Sequence, residues 1–213
     1  VKEGKADIPM KGILQTSNFA RAILNRETGL IPASGRRLVS QCGIFEYEGR
    51  FIMITDAAIN INPDVETQIG IVENALPVAK ALGNDCPKVA VLSAVENVTE
   101  KMASTVTAAE IAKRGVPGCI ISGPLALDGA ISMESVKHKA IHDPVAGQAD
   151  ILLVPFIEIG NVLYKACTYI AGKTMASTIC GASCPVVITS RADTPDSKYY
   201  SILMAVLRCI KGC

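Results

Sequence analysis

Short apolar runs alternate along the chain with longer segments whose apolar residues recur at three- and four-residue spacing. The runs predict strands at Asp7–Met10, Val39–Phe45, Arg50–Ile54, Val89–Leu92, Cys119–Ile121, Ile151–Val154, Thr174–Ile179 and Val186–Thr189. "KVAVLSA" and "ADILLVP" are apolar without alternation, as expected of strands covered on both faces and hence mostly parallel. "FEYEGRFIMI" predicts a hairpin turning at Glu48-Gly49. Helices are predicted at 17–27, 64–82, 104–114, 133–140, 161–171 and 196–210. The last has Thr194 to cap it, Pro195 at its first position, and Tyr199, Ile202, Leu203, Val206 and Ile210 along one apolar face. Strands alternating with helices around one local hairpin give an α/β fold with a mixed sheet.

Composition narrows the class. The chain is 49% apolar but only 4% aromatic, with no Trp, which suits an aliphatic α/β core. Its 21 basic and 20 acidic residues leave a net charge of +1, and no basic stripe offers itself to nucleic acid or an anionic membrane. No apolar run is long enough to span a bilayer. The first residues, Val-Lys-Glu-Gly, show no signal-peptide pattern. The eight cysteines form no CxxC pair, and Cys119 and Cys180 sit inside apolar runs as small hydrophobes. A reducing cytoplasm is the expected compartment. His138 and His142 stand four apart, but no third ligand accompanies them, so no metal is expected.

Polar residues gather just after the strands, in "MKGILQTS", "TDAAIN", "SAVEN", "SGPLALDG", "PFIEIGN" and "TSRAD". For any one loop, turn and capping chemistry is explanation enough. In a parallel sheet, however, all six would lie at the carboxyl edge, where open α/β sheets bind ligands. Lys11 and Gly12, followed by Gln15, Thr16 and Ser17, lead into the helix that carries Arg21. Helix N–H groups, hydroxyls and an arginine suit a phosphate; the plain alternative is a capped helix with a solvated arginine. Glu158, Gly160 and Asn161 follow the buried strand in "ADILLVPFIEIGN", with Gly160-Asn161 expected to open the next helix and Glu158 and Asn161 to face the edge of Ser190. No P-loop, dinucleotide fingerprint or GxSxG elbow is present.

"DIPMKG", "TSNFARAIL", "TDAAINI", "PVAGQADILLVPFIEIGNVLYK" and "CPVVITSRAD", in this order along nearly the whole chain, resemble the phosphate acetyl/butyryl transferase family. "TDAAIN" and "TSRAD" point to its phosphate butyryltransferase branch. The resemblance implies reversible transfer of a short acyl group between CoA and phosphate, with no permanently bound cofactor and CoA as substrate. It implies two α/β domains around a cleft, similar to isocitrate and isopropylmalate dehydrogenases, residues 1–33 and 186–213 forming one and 34–185 the other. Family members carry a further segment ahead of the part resembling "VKEGKADIPMKG", so an N-terminally truncated first domain is expected. A homodimer or higher homo-oligomer is also implied.

By the same resemblance, Ser190 would orient the CoA sulfur in a direct thiolate attack within a ternary complex. Arg191 would steady phosphate or the transition-state oxygen. Arg21, with Thr16, Ser17 and Lys11 nearby, would bind phosphate, and Gly12, Glu158, Gly160 and Asn161 would line the CoA cleft. In the acetyltransferase branch the catalytic carboxylate follows the Ser-Arg pair by several residues. An ungapped match puts that position at Ser197, beside Asp196, while Asp193 is the other carboxylate within reach. Asp193 is the preferred carboxylate of the site, with the base left open between it and Asp196; Asp193 could instead pin Arg191 or cap the final helix, and Asp196 could do no more than favour a helix N-terminus. The alternatives are a phosphate acetyltransferase acting on acetyl-CoA and an inactive acyl-CoA-binding paralogue. Retention of Arg21, Ser190 and Arg191 argues against the second. A decarboxylating dehydrogenase of similar architecture would need an acidic metal cluster that the sequence lacks.

Overall fold

A computed structural model describes residues 1–32 and 36–212, with the side chain of Thr16 excepted. One seven-stranded sheet organises it, in the order β4-β3-β5-β2-β1-β6-β7. The strands are β1 (Ser40–Tyr47), β2 (Arg50–Thr55), β3 (Lys88–Leu92), β4 (Ile120–Leu125), β5 (Ile151–Leu153), β6 (Ala176–Cys180) and β7 (Val186–Val187). The helices are α1 (Thr16–Ile23), α2 (Val65–Ala81), α3 (Ala103–Arg114), α4 (Leu127–Ile131), α5 (Met133–Lys139), α6 (Ile157–Lys165), which continues as a π-helical turn over Ala166–Ile170, and α7 (Pro195–Lys211).

The sheet is half parallel. β2, β5, β3 and β4 run together, whereas β1 is antiparallel to β2 and β6, and β7 is antiparallel to β6. Alternation along the central strands feeds two cores. Val89, Val91, Ile151 and Leu153 pack with Ile71, Val78 and Ile111 of α2 and α3. Ala90, Leu92 and Leu152 face the opposite layer, with Ala130 of α4 and Leu163 and Tyr164 of α6. A third cluster joins Ile23 of α1 to Val39, Ile179, Val186 and Ile188.

Several expectations are corrected. Asp7–Met10 forms no strand; Met10 makes a single parallel bridge to Val187, flanked by Lys11 N–H donating to the Val187 carbonyl at 3.0 Å. The helix expected over 17–27 covers Thr16–Ile23 and stops at Leu24. α4 was not expected, because "LDGAI" is too short to display a helical period. α6 opens at Ile157 rather than at Gly160-Asn161. Gly160 belongs inside it because a Cβ there would press on the Asp56 carbonyl and lie 2.9 Å from Ala57 Cα.

The largest correction concerns α7. Its cap is as expected, Thr194 Oγ1 accepting from Ser197 N–H at 3.1 Å and Pro195 in the first turn. Its apolar residues Tyr199, Ile202, Leu203, Val206 and Ile210 are nevertheless exposed, and the buried face is Ser197, Ser201, Met204, Ala205 and Arg208. The short β7 leaves part of β6 unpaired, and small hydroxyl residues bring the helix close enough to serve it. Ser201 Oγ accepts from Ser177 N–H at 2.9 Å, and Ser197 Oγ from Met175 N–H at 3.3 Å. Pairing of amides that the sheet leaves without partners decides the contact face here, not apolar spacing.

Candidate active site

Because β7 runs against the parallel strands, the six polar loops do not share one edge. "SAVEN", "SGPLALDG" and the start of "PFIEIGN" meet around a separate apolar groove, through Ser93, Ala94, Leu127, Phe156 and Glu158. "MKGILQTS", "TDAAIN" and "TSRAD" meet α6 around a cavity of about 420 Å³ over the β1–β6 part of the sheet. Lys11 and the loop after Val187 leave their shared bridge side by side, which brings two distant segments to one wall.

The floor comes from alternate residues of the paired strands. Gln41 and Ser177 line it, both buried, and Gln41 Nε2 donates to Ser177 Oγ at 2.6 Å. Gly43, directly opposite Ser177, has no side chain because the Tyr164 ring lies on it; a Cβ there would stand 2.6 Å from the ring. Burial pushes the Tyr164 phenol well above its ordinary range, the Asp193 charge adds to this, and a hydrogen bond with Ser177 opposes it. α6 and its π-helical turn contribute Asn161, Lys165, Thr168 and Tyr169.

Asp56 builds the wall that contains Ala57 and Ala58. Its buried carboxylate accepts from the N–H groups of Gln41 at 3.1 Å, Ala58 at 3.0 Å, Ile59 at 3.2 Å and Asn60 at 3.0 Å. Burial raises its pKa, and those donors hold it back. Asn161 Nδ2 fastens α6 to the same wall through the Ala57 carbonyl at 3.2 Å.

Opposite lies the turn after β7. Ser190 N–H donates to Asp193 Oδ2 at 2.6 Å, Asp193 N–H returns to the Ser190 carbonyl at 3.2 Å, and Ala192 N–H reaches Ser190 Oγ at 3.3 Å. Asp193 is buried, whereas Ser190 and Arg191 are exposed at the cavity. Asp193 thus pins the turn through the Ser190 amide; among the described residues Arg191 forms no ion pair. Lys11 is only 6% exposed, and its Nζ donates to the carbonyls of Gly12 and Leu14 at 3.3 and 3.4 Å. No carboxylate pairs with it among the described residues. A buried ammonium held by carbonyls alone is costly and favours an incoming anion. With Lys165 and Arg191 in the lining and Asp193 its only carboxylate among the described residues, the cavity is cationic.

Of the residues singled out from sequence, Lys11, Asn161, Ser190, Arg191 and Asp193 come together here. Arg21 and Ser17 are exposed on α1, outside the lining. The side chain of Thr16 lies outside the described residues. Gly12 passes beside the cavity without lining it, and Gly160 is consumed in packing. Glu158 is exposed and lines a separate apolar groove with Ile159 and Val162, so it does not share Ser190's site. Asp196 is exposed in the first turn of α7, also outside the lining. Gln41, Ser177 and Tyr164 were not anticipated, since each sits inside an element rather than in a loop. The only local signal was a buried-strand polar pair, Gln41 and Ser177.

The family model described as "Phosphate acetyl/butaryl transferase" matches residues 1–206. The chain belongs to the phosphate acetyl/butyryl transferase family. Within that family it is 48% identical over 205 residues to a probable phosphate butyryltransferase of Bacillus subtilis, covering 94% of this chain and 68% of that protein. It is 45% identical over 213 residues to the phosphate butyryltransferase of Clostridium beijerinckii, covering 97% and 70%. The crystal structure of a branched-chain phosphotransacylase from Enterococcus faecalis superposes with a TM-score of 0.88 at 41% identity, covering 96% of this chain and 74% of that one.

Proposed function

We propose that this phosphate acyltransferase reversibly converts a short-chain acyl-CoA, butyryl-CoA or a similar one, plus phosphate into acyl phosphate plus CoA. The observation that carries the reading is Lys11, a buried ammonium with no carboxylate partner among the described residues, sharing one cavity with Arg191 and the Ser190–Asp193 turn. Lys11 and Arg191 hold the phosphate, the guanidinium fork matching two phosphate oxygens. Ser190, whose Oγ accepts only a long bond from Ala192 N–H, offers its O–H to sulfur. Asp193 uses Oδ2 on the Ser190 amide and takes the thiol proton on Oδ1. In the direction of acyl-CoA synthesis the thiolate attacks the acyl phosphate carbonyl, the C–S bond forms, and the C–O bond to phosphate breaks with its electron pair on phosphate.

Leu14, Ala57, Ala58 and Ile188 give the lining an apolar part suited to a short alkyl chain. The names of the two butyryltransferase relatives favour four carbons over two. The cavity also supports the two-domain reading, in an architecture like that of isocitrate dehydrogenase. Lys11, Leu14, Gln15 and 188–193 belong to the first proposed domain (1–33 and 186–213), and Gln41, Ala57, Asn161 and Ser177 to the second (34–185). The proposed boundary at 33/34 falls outside the described residues. A homo-oligomer fits the apolar face that α7 leaves exposed. No described helix is long and apolar enough to cross a membrane, which fits a cytoplasmic enzyme. Comparing phosphate-dependent turnover of acetyl-, propionyl-, butyryl- and isobutyryl-CoA tests the reading. Butyryl- or isobutyryl-CoA should give the highest kcat/KM; acetyl-CoA as the best substrate would move the enzyme to the acetyltransferase reading.

A further inference from the structure

The reading above leaves the acyl carbonyl oxygen without a donor of its own, and the cavity floor holds one. Gln41 Nε2 can only donate, and it donates to Ser177 Oγ at 2.6 Å. Ser177 is 1% exposed, so its own O–H must find an acceptor inside the protein. The Tyr164 ring rests on Gly43, the residue directly opposite Ser177, so the phenol and the Ser177 hydroxyl share one face of the sheet. Gln41 Nε2 donates into Ser177 Oγ, and a Ser177 O–H turned to the phenol oxygen completes a chain of donors. The phenol proton is left over, on a side chain that lines the same cavity as Asp193 and Ser190.

We propose that Tyr164 is a catalytic residue whose O–H donates to the acyl carbonyl oxygen as that oxygen becomes anionic, with Gln41 and Ser177 as positioning residues that aim it. A neutral donor suits that oxygen, while the cations Lys11 and Arg191 serve the phosphate. The proton stays on the phenol throughout; the donor strengthens its hydrogen bond as charge develops and no bond to it breaks. Titratable and charged groups around the phenol are Asp193 from the loop after β7, Tyr169 from the π-helical turn, and Lys165 and Lys11 in the shared lining.

This inference rests on the acyltransferase reading, and its test separates the two. In steady-state kinetics with butyryl-CoA and phosphate, Tyr164→Phe should lower kcat about 10²-fold, the usual loss for one oxyanion donor, with both KM values within about threefold. Ser177→Ala, which misdirects the phenol, should lower kcat about 3- to 10-fold, a fraction of that loss. Replacing Tyr164 by 3-fluorotyrosine keeps the ring and its packing and makes the phenol more acidic. A phenol donor is thereby kept, and kcat should stay within about threefold of the wild type. A Tyr164→Phe enzyme with wild-type kcat, or a fluorotyrosine enzyme that fails as badly as the Phe variant, overturns the role of Tyr164 and leaves the acyltransferase reading standing. Absence of acyl transfer by the wild-type enzyme overturns both.

Discussion

The Ser190 amide donates to the Asp193 carboxylate at 2.6 Å, and Asp193 is the buried member of the pair. That bond makes one residue both the clasp of the turn and the one carboxylate in the described lining of the cavity. Asp193→Ala is expected to lower kcat at least about 10²-fold, the lower end for losing a general base. Asp193→Asn retains an acceptor for the Ser190 amide, so a base role predicts that it fails nearly as badly. Recovery of activity in the Asn variant would reduce Asp193 to a clasp.

Asp196 separates the two carboxylates that the sequence leaves in competition. It is exposed at the start of α7, where its charge favours the helix N-terminus and little else. Asp196→Ala should keep kcat within about twofold, with a slightly lower urea midpoint, as for a lost surface charge at a helix end. A tenfold fall in kcat in a folded protein would return the base to Asp196.

Lys11 predicts a selective defect in phosphate binding. Lys11→Met keeps the length of the side chain and removes the charge from a buried position that has no carboxylate partner among the described residues. KM for phosphate should rise tenfold or more, about what one charge-assisted hydrogen bond is worth. KM for acyl-CoA should change less. Equal rises in both would place Lys11 elsewhere in the chemistry.

Gly43 carries a steric prediction. An added methyl would stand 2.6 Å from the Tyr164 ring and force it toward the cavity. Gly43→Ala should cost about 1–3 kcal/mol of stability, as overpacking does. It should also lower kcat through the displaced phenol. Urea unfolding and kinetics on one preparation measure both.

Much of this arrangement was legible in the residues. "KVAVL" and "ILLV" announced doubly covered strands, Glu48-Gly49 a hairpin, and Thr194-Pro195 a helix start, because each is fixed by local periodicity or backbone preference. Lys11, Ser190, Arg191 and Asp193 were legible as candidates because they stand in loops beside strands, and Asn161 because its helix follows the buried strand β5. Strand direction was not legible. The antiparallel placement of β7 depends on pairing between segments far apart in sequence, and with it went the idea of one loop-lined edge. The contact face of α7 was hidden for a similar reason: Ser197 and Ser201 look like surface residues until the unpaired amides of Met175 and Ser177 are seen beneath them. Tyr164 looked like one more apolar position on a helix, and only the absence of a side chain at Gly43 shows what its ring covers.

The most direct test of the account follows the thioester absorbance of butyryl-CoA with and without phosphate, for the wild-type protein and for Lys11→Met. The account predicts loss of thioester that requires phosphate, yields an acyl phosphate trappable by hydroxylamine as the hydroxamate, and needs far more phosphate in the variant. Thioester loss that proceeds equally without phosphate, or no loss with any short acyl-CoA, would contradict it.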